Sequence, residues 1–375
     1  MKRTILSAIL LLLLFCTAGC GAEKEQGTVE LTYDHSLQLD YAQQFSVDYY
    51  DGGYAMVEIQ DIGRYLVVPE NAAVPETLPD DVTVLQKPLE NIYLVSTSVM
   101  DLFCKLDALD TVSLSGTQAD GWYIDEAKAA MEAGKISYAG KYSAPDYEQI
   151  LAADCGLAIE NMMISHTPEV REELELLGVP VLVERSSYER SPLARMEWIK
   201  LYGVLLGKEE LAEQIFQEKV AQVAPLLDKE NTGKTVAFFS ITSNHLVTVR
   251  KSGDYVAQMI EMAGGNYVFS DLTDNGNDLS TINLPLETFY AEAKDADVLI
   301  YNSTIEGSVT SVDELLAQWP LLADFKAVQN GDVWCLKQNL FQHSMELCDL
   351  IVDMNAVFEQ GQPSDDTLNY LTHID

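Results

Sequence analysis

The stretch PLARMEWIKLYGVLLGKEELAEQIFQEKVAQVAPLLD, residues 192–228, decides how the chain divides. From Lys208 onward, Leu211, Ile215, Phe216, Val220 and Val223 recur at helical spacing, and Glu209, Glu210, Glu213, Gln217, Glu218 and Lys219 fill the rest of the circumference. This pattern predicts one long amphipathic helix over 208–229. Built at about 1.5 Å per residue it would measure roughly 30 Å, the height of a small lobe and more than a loop connection needs. Pro225 removes one backbone donor and crowds the carbonyl four residues back, so a bend or a stop is expected there.

Outward from this helix, short apolar runs alternate with helical patterns on both sides. Before it, Ile92–Ser96, Thr111–Ser115, Leu157–Glu160 and Val179–Glu184 read as strands, with helices over Val99–Leu106, Ile124–Ala133 and Glu169–Leu177. After it, Thr235–Ser240, Asp297–Tyr301 and Asp332–Leu336 read as strands, with a helix over Tyr255–Ala263 and a closing helix over Ser344–Phe358. Such alternation predicts mostly parallel sheets with helices on their faces, and the helix becomes a strut between two α/β lobes, 33–207 and 230–375. Residues 31–79 are mixed: a hairpin across Asp51-Gly52-Gly53 and a strand at Tyr65–Val68.

Residues 1–19 have the layout of a signal peptide. Lys2 and Arg3 are positive, Ile5 to Phe15 is almost wholly apolar, and Thr17, Ala18 and Gly19 are small. The apolar run is short for a bilayer span. Leading straight into Cys20, the segment resembles a bacterial lipoprotein signal, although Thr17 stands where an aliphatic residue is usual; an ordinary secretory signal or an uncleaved anchor is the alternative. On the lipoprotein reading Cys20 is lipidated, residues 20–32 are a tether, and the protein sits on the outer face of a membrane, held by lipid alone.

A chain of 375 residues with 47% hydrophobic content can bury two cores. Its formal charge of −36 argues against nucleic acid or an anionic lipid surface as the main partner, since both select a basic face. Beyond Cys16 and Cys20, the cysteines Cys104, Cys155, Cys335 and Cys348 show no CxxC spacing. Buried free thiols are expected, with a Cys335–Cys348 bridge open to an oxidising compartment. No nucleophile elbow, phosphate loop, HExxH or dinucleotide fingerprint is present, and His35, His166, His245, His343 and His373 are scattered without ligand spacing. An enzyme is therefore not expected, and no resident metal or cofactor.

Three stretches carry a resemblance. Gly140-Lys-Tyr-Ser-Ala-Pro-Asp-Tyr-Glu148, followed by Leu157-Ala-Ile-Glu160, has a counterpart in Leu284-Pro-Leu-Glu287-Thr-Phe-Tyr290 followed by Asp295–Tyr301, and Trp319–Trp334 forms a closing block. In this order they resemble the substrate-binding lipoproteins of ABC importers for iron-siderophores, haem and cobalamin. That resemblance covers most of the chain from about Pro88. It implies two Rossmann-like lobes joined by one long α-helix, a metal-chelate ligand with a ferric siderophore first and haem or cobalamin second, and a monomer that delivers cargo to an ABC permease and its ATPase. It also implies that Glu148 and Glu287 dock on the permease. A ligand-sensing lipoprotein, or less readily a lipid-anchored enzyme, is the competing reading.

Open α/β sheets place ligands beyond the carboxyl ends of their strands. This nominates Trp122, Tyr123, Arg185, Tyr188 and Arg190 in the first lobe, and Asn244, His245, Arg250, Asn302, Gln342 and His343 in the second. Aromatic faces suit macrocycles and catecholate rings, and guanidinium forks suit carboxylates. For haem, His245, His343 or a tyrosine could supply an axial ligand.

Overall fold

Alternation of buried and exposed side chains turns residues 33–86 into a sheet of their own. The computed structural model describes residues 30–274, 276 and 280–375. The signal peptide, Cys20 and most of the tether lie outside the described residues. Strands β1 (Tyr33–Ser36), β2 (Phe45–Tyr50), β3 (Tyr54–Ile59), β4 (Gly63–Val68) and β5 (Val82–Gln86) pair in that order. Neighbours are antiparallel except β4 and β5, which run parallel. Phe45, Val47, Val57 and Ile59 face the main core, while Tyr54, Leu66 and Val68 pack on the other face with Leu31, Met56 and Leu78. A region read in sequence as one hairpin and one strand thus carries five strands.

The second sheet of the first lobe is wholly parallel. It contains β6 (Ile92–Leu94), β7 (Val112–Ser115), β8 (Ser137–Tyr138), β11 (Ala158–Asn161) and β12 (Val181–Glu184), in the order β12-β11-β6-β7-β8; β9 (Gly140–Lys141) and β10 (Ala144–Pro145) form a small hairpin beside it. Helices Thr97–Lys105, Asp125–Glu132, Tyr147–Ala152 and Pro168–Leu176 connect the strands. In the second lobe, β13 (Thr235–Ile241), β14 (Leu246–Arg250), β15 (Asn266–Tyr267), β16 (Thr281–Pro285), β17 (Val298–Tyr301), β18 (Val333–Leu336) and β19 (Leu371–His373) build a mixed sheet. Its centre, β13-β17-β18, is parallel, while β14 and the edge strands β16 and β19 pair antiparallel with their neighbours.

Between the lobes, the helices Pro192–Glu197 and Ile199–Leu206 lead into the strut, Glu209–Leu227. Gly207, at φ 69°, takes the left-handed turn that ends the Ile199–Leu206 helix. A Cβ on Gly203 would lie 2.7 Å from that of Ala212, so glycine lets the two helices approach closely. The strut buries Ala212, Phe216 and Val223, and also packs on the long helix Leu347–Gln360. It passes through Pro225 and ends at Leu227, so the one backbone bond that the proline cannot make, to the carbonyl of Ala221, is missing from the helix's last turns.

The closing helix begins at Leu347 rather than Ser344. Residues 338–342 and 344–346 form single 3-10 turns instead, pinned to the first lobe by Ser344 Oγ, which donates to Ser98 O at 2.5 Å, and Met345 N, which donates to Asp101 Oδ2 at 2.8 Å. All four described cysteines are free, so Cys335 and Cys348 are not bridged; Cys348 Sγ instead meets Met196 Sδ at 3.6 Å.

Two carboxylates in the segment that leads into the strut fasten the loop between β1 and β2. Glu197, fully buried, accepts from the amides of Asp40 (2.9 Å), Tyr41 (2.8 Å) and Ala42 (2.7 Å), and pairs with Lys200 at 3.1 Å. Glu189 accepts from the amides of Gln43 and Gln44 and from Trp198 Nε1. Phe45 packs edge-on against Trp198, and Tyr41 against Phe216.

Candidate functional site

Loops leaving the carboxyl ends of β6 and β7 in one lobe meet the loop leaving β18 in the other, so the gap between lobes lies where open sheets place ligands. At its centre is a cavity of about 40 Å³, lined by Ser98, Leu102, Glu184, Ser186, Arg195, Tyr255, Phe341 and Ser344 among others. The Arg195 guanidinium stacks 3.9 Å from the centre of the Tyr255 ring, linking a hinge helix to the second lobe. Arg250 approaches the same ring at 5.9 Å, held by Asp254 at 3.5 Å. Glu184 is buried at the end of β12, and its carboxylate accepts from Ser186 N at 2.6 Å. Burial raises its pKa, opposed by the bonds from Ser186 and by the charge of Arg195. The cavity thus offers apolar walls, hydroxyls, one cation and one carboxyl.

On one flank the lobes touch directly. The Gln342 side chain accepts from Tyr123 N at 2.7 Å and donates to Gly121 O at 2.8 Å. Tyr123 OH donates to Gln338 Oε1 at 3.0 Å, and the Tyr123 and Phe341 rings meet edge-on. His343 approaches Tyr370 OH at 3.2 Å through Nδ1 and Tyr123 O at 3.4 Å through Nε2. Nearer the strut, Lys219 pairs with Asp349 at 2.8 Å and with Glu346, which also takes Lys105. These partners hold the Glu346 carboxyl well below the usual carboxylate range against the effect of burial.

A second cavity, of about 360 Å³ and sharing no lining residue with the central one, gathers Arg185, Tyr188 and Arg190. Arg185 stacks on Tyr188 at 4.6 Å, and its Nη1 donates to Gln60 O and to Asp61 Oδ2. Of the remaining sequence candidates, Trp122 is only 3% exposed and lies in the main core, so it offers the gap no surface. Asn302 is also buried, its side-chain oxygen capping the helix Ser303–Glu306 through Thr304 N. Asn244 and His245 are exposed in the β13–β14 turn, with His245 at φ 56°.

Sequence reasoning passed over Tyr255, Phe341 and Glu184. Tyr255 opens a helix after β14 with Asp254 as its cap, a position that an aspartate-aromatic pair following a strand could have signalled. Glu148 and Glu287 are both exposed in first turns of helices. Each helix starts beside a strand's carboxyl end: Asp146 N donates to Ala139 O just past β8, and Pro285 pairs with Leu246 at the turn that follows β13.

Comparison with known proteins agrees with this geometry. Residues 94–340 match the periplasmic binding protein family. An uncharacterized lipoprotein of Methanocaldococcus jannaschii is 25% identical, over 95% of this chain and 93% of its own length. A periplasmic haem-binding protein from Pseudomonas aeruginosa superposes with a TM-score of 0.56 at 17% identity, covering 76% of this chain and 99% of that one. A structure from an ABC-type Fe3+-hydroxamate transport system of Saccharomonospora viridis gives 0.56 at 20% identity, covering 72% of this chain and 94% of that one. Two lobes on a helical strut, with a gap at the carboxyl ends of their strands, are what that family match leads one to find; the chain belongs to the periplasmic binding protein family.

Proposed function

We propose that this protein is the extracytoplasmic substrate-binding component of an ABC importer, anchored by lipid at Cys20, that captures a metal chelate between its lobes. A ferric siderophore is the first choice of cargo. The observation that carries this reading is the central cavity, where Arg195 lies flat on Tyr255 among apolar side chains. Such a wall suits a ligand that joins aromatic or aliphatic surface to negative charge. Haem and cobalamin remain in the same role, but both ring nitrogens of His343 are already engaged, so haem would draw its axial ligand from His245 or a tyrosine. At about 40 Å³ the cavity is far smaller than the usual few hundred Å³ of a ligand pocket, so the lobes must part to admit cargo. The strut keeps that movement small compared with loop-hinged binding proteins. Glu148 and Glu287 then present one carboxylate per lobe to the permease, whose ATPase drives import.

Calorimetric titration of residues 21–375 with ferric catecholate and hydroxamate siderophores, haem and cobalamin tests this. One of them should bind saturably, and Arg195→Ala should weaken it at least tenfold. If none binds, the metal-chelate assignment fails while the fold stands.

A further inference from the structure

The second cavity, of about 360 Å³, has an unusual origin. Tyr41, Gln43, Gln44 and Gln60 come from the first sheet, and the rest of its wall comes from the hinge and from Gln258 of the second lobe. The first sheet lies outside residues 94–340, the part matched by the family. Part of the cavity's wall therefore comes from outside the segment that the family match covers, and its volume falls within the roughly 300–1,000 Å³ of small-molecule pockets.

Its charges are already committed. Arg185 is taken by Gln60 O, Asp61 and the Tyr188 ring, Arg190 is not free, and Glu189 is satisfied by Gln43 N, Gln44 N and Trp198 Nε1. What remains is neutral and polar. The side chains of Gln43, Gln44, Gln60 and Gln258 and the phenols of Tyr41 and Tyr188 form no hydrogen bond to another described residue. Gln44 Oε1 and Arg185 Nε are buried without a partner, an arrangement proteins rarely leave unfilled. Carboxamides donate and accept in equal number, which matches hydroxyl groups and not anions. Two tyrosine rings add flat apolar faces with polar tips.

We propose that this cavity is a second binding site, separate from the chelate cleft, for a compact, uncharged, hydroxyl-rich molecule of the polyol or monosaccharide class. The inference does not depend on the identity of the cleft's cargo. Because Gln258 stands on one lobe and the other amides on the first sheet, an occupant bridges the two.

The test is saturation-transfer NMR and calorimetry on residues 21–375, with glucose, galactose, mannose and sorbitol as uncharged probes and gluconate as the anionic control. At least one uncharged probe should bind saturably and more tightly than gluconate. Gln44→Leu and, on the other lobe, Gln258→Leu should each weaken it at least tenfold, and Arg195→Ala should leave it within twofold. Gln258→Leu keeps the test intact if the first substitution disturbs folding. Absence of saturable binding by every uncharged probe overturns the proposal. So does preference for gluconate, or loss of binding in Arg195→Ala, which would make the cavity part of the cleft.

Discussion

The side-chain oxygen of Gln342 accepts the amide proton of Tyr123 at 2.7 Å, across the gap between the two lobes. With the return bond from Gln342 Nε2 to Gly121 O at 2.8 Å, one buried carboxamide imitates a piece of strand pairing and holds one flank of the cleft shut. Gln342→Leu should break both bonds and leave two backbone groups unpaired, at about 1–3 kcal/mol each if they stay buried. Opening the lobes lets water reach them, so the strain should appear as opening more than as unfolding. Small-angle scattering of the ligand-free variant should show a larger radius of gyration. An unchanged profile with a chelate affinity lowered more than tenfold would instead make Gln342 a cargo contact.

Glu197 concentrates four donors on one buried carboxylate. Removing one partner of such a buried charged group costs about 3–5 kcal/mol. Glu197→Ala should lower stability by about that much in urea denaturation and expose residues 38–44 to proteolysis, while Glu197→Gln, which keeps one acceptor oxygen, should cost less. Equal midpoints for Glu197→Ala and the parent would show that the first sheet is not held in this way.

Glu160 is the reverse case. It is fully buried on β11, neither of its oxygens accepts a hydrogen bond from a described residue, and burial pushes its pKa up to about 8. Tyr93 and Tyr147 are the titratable side chains that sense its charge. A carboxyl whose folded pKa is raised contributes stability that is fully present below its unfolded pKa of about 4.3 and lost as pH rises through the folded value. Stability should therefore fall between about pH 5 and pH 8.5, with Glu160 contributing a few kcal/mol of that fall. Glu160→Gln removes the titration, so its urea midpoint should change less over this range. Parallel pH profiles for the two proteins would refute the assignment.

Glu148 and Glu287 stand exposed, one per lobe, each near the carboxyl end of a strand. Separated charges of this kind steer and register a large partner more than they add affinity. The double substitution Glu148→Ala and Glu287→Ala should reduce uptake in cells at least tenfold and leave chelate affinity in solution unchanged. If affinity falls in step with uptake, the two residues act on the cargo or the fold and not on the permease.

How far the site could be read beforehand depends on parity and partners. Trp122 and Tyr123 follow the same strand, yet a short turn at 119–121 sends the indole into the core and leaves the phenol at the gap. Arg185 and Arg190 sit past the end of a strand as expected, but Gln60 and Asp61, more than a hundred residues away, decide that Arg185 is spent. Arg195 belongs to the short helix Pro192–Glu197, and its role comes from Tyr255 on the other lobe, which nothing near it in the sequence announces.

The sequence by itself determined the long helix and the alternation of strands and helices around it, because these rest on periodicity within a dozen or so neighbouring residues, while the two glutamate-headed helices were expected from the family resemblance. Hydrophobic spacing is a local quantity, and burial of one face enforces it. Only the tertiary structure decided that residues 33–86 form a separate sheet clamped by Glu189 and Glu197, that Gln342 bridges the lobes, and that a glutamine-lined cavity lies behind the hinge. Each of these joins groups far apart in the chain, and a polar side chain carries no mark in sequence of which distant donor will satisfy it.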